Sequence, residues 1–74
     1  MPPLPVASGS EVCAALSRAG FMRKSQKGSH VKMRHLDGRS AIVPLHDELA
    51  PGTLRSILRQ AGLTAETLIA LLGR

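Results

Sequence analysis

The sequence predicts an α+β fold in which helices cover one face of a three-stranded antiparallel sheet. Three observations support this fold class. Apolar residues recur at helical spacing near both ends of the chain, whereas apolar and polar residues alternate in the middle. Two glycine-containing turns divide that middle part into short strands. The expected order is α-β-β-β-α followed by a short α-helix, in a single domain over residues 1–74.

The first helix is predicted to begin after Ser8, behind a proline-rich lead (residues 1–5) that should be extended. Ser8 and Glu11 have the spacing of a capping box, in which each side chain accepts a hydrogen bond from the other residue's backbone. Gly20 is placed to end the helix in the left-handed conformation. One cysteine forms neither an intrachain disulfide nor a thiolate metal site. Cys13 is interpreted as a core residue, because it lies in an apolar helical stretch.

The second and third strands are predicted to form a tight hairpin. The three predicted strands span residues 21–26, 30–35 and 40–44. Asp37 and Gly38 are typical of a two-residue turn between the last two strands. Such a turn would place Met33 opposite Ile42 in the neighbouring strand.

The first hairpin is predicted to contain a three-residue turn over residues 27–29, with Gly28 able to adopt a positive φ angle. This turn would pair Lys24 with Lys32 and leave Phe21 facing the core. A two-residue turn would reverse the faces of the first strand, and the burial that Phe21 requires argues against it.

Alternation along the second strand indicates which side chains the sheet presents to solvent. Val31 and Met33 fall on one face and must contact the helices, because nothing else can cover them. His30, Lys32 and Arg34 therefore fall on the open face.

A basic stripe is thus expected on the open face, formed by Lys24, Lys32 and Arg34 with Lys27 at its rim and His30 among them. Like charges on neighbouring strands repel each other, so a sheet that keeps them is expected to bind phosphates. The whole chain has ten Lys and Arg against five Asp and Glu, a formal net charge of +5. This balance favours a polyanionic partner. The alternative is a solvated basic face that binds no ligand.

The histidines favour a mechanism without a metal ion or other cofactor. His30 and His35 fall on opposite faces of the predicted strand, and the strands contain no paired carboxylates, which argues against a two-metal nuclease. RNA carries its own nucleophile, the 2′-hydroxyl, and one imidazole that titrates near neutral pH can transfer its proton. His30 beside cationic side chains would meet that minimum.

The C-terminal third is predicted to form two helices that pack on the core. Thr53 is expected to cap the first of them and Gly62 to end it, and Thr64 is expected to cap the short last helix. The core face of the longer helix comprises Leu54, Ile57, Leu58 and Ala61.

The same region supports an alternative interpretation as a helix-turn-helix over residues 58–72, in which Arg55, Arg59 and Gln60 contact DNA. The last helix lacks the Asn, Gln and Arg residues that read base edges, which disfavours this alternative. A non-catalytic nucleic-acid-binding module, for RNA or for DNA, remains the second functional hypothesis.

Four short motifs resemble those of the HicA family of mRNA interferase toxins. They are Ala19-Gly20-Phe21, Gly28-Ser29-His30, Val43-Pro44-Leu45-His46 and Gly52-Thr53-Leu54-Arg55-Ser56-Ile57-Leu58. The resemblance extends from residue 4 to about residue 68 and depends on the order and spacing of all four motifs. It implies a fold like that of double-stranded-RNA-binding domains, endoribonuclease activity on mRNA, and inhibition by a HicB-type antitoxin.

The resemblance also implies roles for individual residues. The catalytic histidine of the family follows Gly-Ser, which corresponds to His30 here, and His46 matches a family motif without a defined role. The residues expected to bind RNA are Lys24, Lys27, Gly28, Ser29, Lys32 and Arg34. The chain lacks the sequence features of a signal peptide and of a membrane span, so a bacterial cytoplasmic protein without membrane contacts is expected.

Overall fold

The computed structural model describes residues 3–74 and contains the predicted elements in the predicted order. The elements are α1 (Gly9–Arg18), β1 (Phe21–Lys27), β2 (His30–His35), β3 (Ser40–Pro44), α2 (Pro51–Ala61) and α3 (Ala65–Leu71). The strands form one antiparallel sheet in the order β1-β2-β3. The predicted α+β fold, like that of double-stranded-RNA-binding domains, is confirmed.

The proline-rich lead lies only partly within the described residues. Residues 3–5 of the proline-rich lead form no helix or strand, and residues 1–2 lie outside the described residues. Within residues 3–74, no helix is both long enough and apolar enough to cross a membrane.

The capping box at the start of α1 is confirmed. The Ser8 hydroxyl oxygen accepts a hydrogen bond from the Glu11 N–H (3.0 Å), and a Glu11 carboxylate oxygen accepts one from the Ser8 N–H (2.9 Å). The bond from the Ser8 backbone holds the pKa of the exposed Glu11 carboxyl below its ordinary value. At the other end Gly20 has a φ angle of +94°, so its predicted role in ending the helix is also confirmed.

The turn between β1 and β2 is shorter than predicted. Lys27 pairs directly with His30, so the turn has two residues rather than three. The predicted pairing of Lys24 with Lys32 is therefore wrong, and Ser25 takes that position opposite Lys32.

A β-bulge in β1 compensates for the shorter turn. The pairing shifts by one residue between Arg23 and Ser25, which leaves Lys24 as the extra residue without a partner in β2. A two-residue turn alone would direct Phe21 to the open face, because side chains alternate along a strand. The extra residue reverses the alternation, so Phe21 faces the core instead and is only 2% exposed.

The pairing of β2 with β3 differs from the prediction by one residue. Met33 pairs with Ala41 rather than with Ile42. A slip of one residue moves every side chain of a strand to the other face. In this register Ala41 and Val43 are fully buried and Ile42 lies on the open face, so the sheet buries two β3 side chains beside Met33.

This register follows from a three-residue hairpin loop, residues 36–38, in place of the predicted two-residue turn. The His35 N–H donates to the Arg39 carbonyl oxygen (2.8 Å), and the Gly38 N–H donates to the His35 carbonyl oxygen (3.0 Å). Gly38 has a φ angle of +99°, which this type of loop requires at its last position.

Helix α2 begins earlier than predicted. Pro51 occupies its first turn and Ala50 is the N-cap, without a side-chain hydrogen bond, so Thr53 is not the cap. Proline favours the first helical position because its φ angle is already helical and its missing N–H has no partner there. The left-handed Gly62 and the N-cap Thr64 are as predicted.

The core lies between the sheet and the three helices. Cys13 is buried in it, and burial raises the pKa of its thiol. The predicted core face of α2 is buried in full. The buried core residues are Ala7, Val12, Cys13, Ala15, Leu16, Phe21, Val31, Met33, Ala41, Val43, Leu49, Leu54, Ile57, Leu58, Ala61 and Leu68.

Arg39 joins the β2–β3 hairpin to the end of α2. Its Nε lies 2.8 Å from Asp37 Oδ2, and its Nη1 donates to the Ala61 carbonyl oxygen at 2.6 Å. Its guanidinium carbon lies 5.3 Å from the centre of the Phe21 ring. Hydrogen bonds from the Arg39 backbone and side chain hold the pKa of the Asp37 carboxyl below its ordinary value. This long-range contact was not predicted from the sequence.

The loop between β3 and α2 is anchored to the start of α1. The Gly9 N–H donates to the His46 carbonyl oxygen (2.9 Å), and the Leu49 N–H donates to the Ala7 carbonyl oxygen (2.9 Å). A Cβ atom at Gly9 would overlap the Pro44 carbonyl oxygen and would lie 2.9 Å from Leu45 Cα. Only glycine allows the two backbones to approach this closely.

We expect Gly9→Ala to lower the free energy of unfolding by about 1–3 kcal/mol, because the added methyl group forces backbone atoms apart. Gly52→Ala is the matched control, since a Cβ there would have no atom within 4 Å. Its unfolding free energy should stay unchanged or rise by up to about 1 kcal/mol. Urea unfolding measures both, and equal destabilisation of the two variants would contradict the close approach at Gly9.

Candidate functional site

The open face of the sheet consists of three cross-strand rows of side chains. The rows are Lys27–His30–Pro44, Ser25–Lys32–Ile42 and Met22–Arg34–Ser40. Side chains directly opposite each other on antiparallel strands have Cβ atoms about 4.5–5.5 Å apart. His30 therefore lies beside Lys27 across the strands and one row away from Lys32.

Burial along β2 separates the two faces of the sheet clearly. Val31 is 0% exposed and Met33 is 1% exposed, against the helices. His30 and Arg34 are exposed, and Lys32 is half-buried. Along β2 the face expected to carry the site is therefore open to a large ligand, while the other face contributes to the core. Pro44, at the β3 end of the His30 row, is buried.

His30 is the first residue of β2 and directly follows the Gly28-Ser29 turn. Gly28 has a φ angle of +58°, which lets the chain reverse within two residues. Among residues 3–74, no side chain or backbone group forms a hydrogen bond with the His30 imidazole. Both ring nitrogens are thus available to a bound molecule.

The structure brings most of the predicted basic stripe together. Lys27, Lys32 and Arg34 share the open face with His30, one in each row. None of the ion pairs found within residues 3–74 involves these three cations. Unpaired positive charges on an exposed face attract a polyanion and lose part of their effect in salt.

Lys24 is the exception among the predicted stripe residues. As the extra residue of the bulge it belongs to none of the three rows, so its predicted position beside Lys32 is corrected. It lines a concavity at the other end of the sheet from His30, together with Arg34 and Leu36. Ser25, for which no RNA contact was predicted, occupies the position beside Lys32 instead.

His46 lies at the same end of the sheet as His30. The Leu45 N–H donates to the Ser29 carbonyl oxygen (2.7 Å), which ties the segment before His46 to the turn before His30. The contact that His46 makes with α1 uses its carbonyl oxygen, and its side chain is exposed. The structure thus shows a backbone role for His46 in positioning the loop.

His35 has a different environment. Its ring packs edge-on against Phe21 with 5.2 Å between ring centres, and its Nδ1 accepts a hydrogen bond from the Asp37 N–H (3.1 Å). No cluster of three or more His, Cys, Asp or Glu side chains suited to a metal ion occurs within residues 3–74. The open-face rows contain one imidazole, that of His30, together with the cations Lys27, Lys32 and Arg34.

The helix-turn-helix alternative finds little support in the packing of α2 and α3. Gln60, a proposed DNA contact, accepts a hydrogen bond from the Ile42 N–H (3.1 Å) and donates one to the Ser56 hydroxyl (3.0 Å). It thereby covers the outer edge of β3. Helix α3 has only seven residues and buries Leu68 in the core. All three proposed DNA contacts are exposed, but within residues 3–74 only the side chains of Arg55 and Arg59 among them form no hydrogen bond.

Comparisons with known proteins agree with this fold. The family model described as HicA toxin of bacterial toxin–antitoxin systems matches residues 9–63. A chain from a toxin–antitoxin complex of Streptococcus pneumoniae is 37% identical to this chain, and the similarity covers 76% of this chain and 97% of that one. The two structures superpose with a TM-score of 0.66. A search of curated protein sequences gave no significant match.

Proposed function

Because the chain belongs to the HicA family of bacterial toxins, we propose that it is an endoribonuclease that cleaves mRNA without a metal ion. In this proposal His30 is the catalytic general acid or base. The observation that carries the proposal is the position of His30, exposed among unpaired cations on the open face.

The proposed reaction uses the 2′-hydroxyl of RNA as the nucleophile. The His30 imidazole takes the proton of this hydroxyl, whose oxygen attacks the adjacent phosphorus and displaces the 5′-oxygen of the next nucleotide. The leaving oxygen gains a proton from solvent or from a protonated His30. The products are a 2′,3′-cyclic phosphate and a free 5′-hydroxyl. DNA lacks the nucleophile and is not cleaved by this route.

The cations of the open face have two roles in this proposal. Lys27, in the same row as His30, stabilises negative charge that develops on the phosphate oxygens. Lys32 and Arg34 bind phosphates further along the RNA, since they follow His30 along β2 at alternate positions. Lys24 contributes positive charge from the bulge.

The turn before His30 positions the scissile phosphate. Gly28 and Ser29 form its two residues, and no atom lies within 4 Å of a Cβ placed at Gly28. The RNA backbone can therefore approach this turn closely. His46 receives no chemical step in the proposal, because the contact that it makes is through its backbone.

We further propose that a HicB-type antitoxin neutralises this toxin in the bacterial cytoplasm. The similar chain from Streptococcus pneumoniae comes from a toxin–antitoxin complex. The unpaired cations of the open face complement an acidic partner surface, which would associate rapidly and in a salt-sensitive manner. An antitoxin bound on this face would bury His30 and exclude mRNA, which is the other partner that we propose.

The variant His30→Ala tests the catalytic assignment. We expect RNA cleavage to fall about 10²- to 10⁴-fold, the usual contribution of general acid–base catalysis, and growth arrest on expression to disappear. The unfolding free energy should change by less than about 0.5 kcal/mol, because the side chain is exposed. The fall in the cleavage rate is measured by single-turnover cleavage of a defined RNA.

The matched control for this experiment is His46→Ala, an exposed histidine at the same end of the sheet. It should retain most of the cleavage activity. Cleavage by His30→Ala at the parental rate would refute the assignment, and loss of its folded state would show that His30 is structural.

Salt dependence of RNA binding tests the basic stripe. Lys32→Ala and Arg34→Ala should each reduce the slope of log Kd against log salt concentration by about 1, since each removes one phosphate contact. Arg55→Ala and Arg59→Ala on α2 are charge-matched controls that should leave the slope unchanged. A larger effect of the α2 variants would favour nucleic-acid binding through the helices instead.

A further inference from the structure

Exposed apolar side chains are concentrated around the sheet. Within residues 3–74, the large apolar side chains that are exposed are Val6, Met22, Leu36 and Ile42. Met22 and Ile42 lie on the open face, and Leu36 lies in the β2–β3 hairpin loop with 95% of its surface exposed. Isolated exposed apolar residues need no explanation, whereas a group of them marks an interaction surface.

Met22 and Leu36 belong to one surface feature, named here the loop-end patch. They line a single open concavity of about 480 Å³ together with Arg23, Lys24, Arg34 and His35. The β-bulge at Lys24 and the three-residue loop that contains Leu36 both help to form it. Arg34 lies four residues beyond His30 along β2, so the patch begins roughly 13 Å from the candidate catalytic residue.

The charges of the loop-end patch fit an acidic partner. Three cations line it, and no carboxylate does. The nearest carboxylate in the loop, that of Asp37, is already bound by Arg39. Arg23 is hydrogen-bonded only to the neutral side chain of Gln26 (3.0 Å). The guanidinium and ammonium groups at the patch therefore lack an acidic partner within residues 3–74.

The apolar part of the patch favours a protein over RNA as that partner. Proteins bind unpaired bases mainly by stacking them on aromatic rings or on arginine planes. The one Phe, Tyr or Trp residue of this chain, Phe21, is 2% exposed, and the His35 ring in the patch packs against Phe21 with 25% of its side chain exposed. Methionine and arginine are enriched in protein–protein interfaces, and arginine is among the residues that contribute most to their affinity. Met22 and Leu36 with cations around them have this arrangement.

We propose that the loop-end patch is the main affinity determinant for the antitoxin, and that it binds a segment combining apolar side chains with carboxylates. This inference rests on the proposed function, since it assigns a contact to the antitoxin proposed above. It assigns Met22 and Leu36 to the antitoxin alone, whereas Lys24 and Arg34, which also line the patch, serve RNA when the toxin is free and the antitoxin when it is bound. His30 and Lys27 at the other end of the sheet act on RNA.

The double variant Met22→Ser with Leu36→Ser tests this division. The probe is a purified HicB-type antitoxin, whose reading frame is expected beside that of the toxin, and its affinity is measured by titration calorimetry. We expect its affinity to fall about 10- to 100-fold, the loss typical of truncating one or two central interface residues. Cleavage of RNA by the free toxin should remain at the parental rate.

Two further variants sharpen the test. Val6→Ser is the matched control, since Val6 is 65% exposed, close to the 68% of Met22, and lies outside the sheet. It should bind the antitoxin as the parent does. Leu36→Glu places a negative charge on a loop side chain that packs against nothing, so it should fold normally and weaken binding through repulsion from the acidic partner.

Unchanged antitoxin affinity in both patch variants would overturn the inference. It would also fail if RNA cleavage fell as far as antitoxin affinity, because the patch would then serve RNA. The inference would also be overturned if the parental protein did not bind the antitoxin. Failure of the parental protein to cleave RNA would instead count against the proposed function, and the affinity measurements would remain interpretable.

Discussion

The helices can cover only one face of the three-stranded sheet, and this constraint orients every residue of the candidate site. Side chains alternate along a strand, so burial of Val31 and Met33 places His30, Lys32 and Arg34 on the other face. The constraint acts across the whole sheet. The bulge in β1 and the hairpin loop before β3 both adjust the register so that apolar side chains meet the helices.

The order and faces of the elements were predictable where a single segment contained the whole signal. The alternation of β2, the capping box of α1 and the glycine at the end of α2 depend on residues close together in sequence. The strand registers could not be predicted in this way. Asp37-Gly38 suits either a two-residue turn or the end of a three-residue loop, because both need a positive φ angle at glycine. Burial of Ala41 and Val43 against distant helices decides between them.

The parts of the candidate site that were not predicted also depend on features without a local sequence signal. A bulge has no reliable local signal, so Lys24 was assigned to a row that Ser25 occupies. In the sequence, nothing distinguishes Arg39 from the other surface cations. In the structure it lies between Asp37 and the carbonyl end of α2. Asp37 and Glu11 form ion pairs with arginines outside the basic stripe, Arg39 and Arg74. The open face therefore keeps a positive charge that these carboxylates do not neutralise.

Cleavage of an RNA methylated only at the 2′-oxygen of the scissile nucleotide tests the central claim most directly. The assay contains EDTA, and the same RNA without the methyl group serves as the reference. The account predicts that the reference is cut, leaving a 2′,3′-cyclic phosphate or a 3′-phosphate, and that the methylated RNA stays intact because its nucleophile is blocked. Cleavage of the methylated RNA, or a strict requirement for a divalent metal ion with the reference, would contradict it.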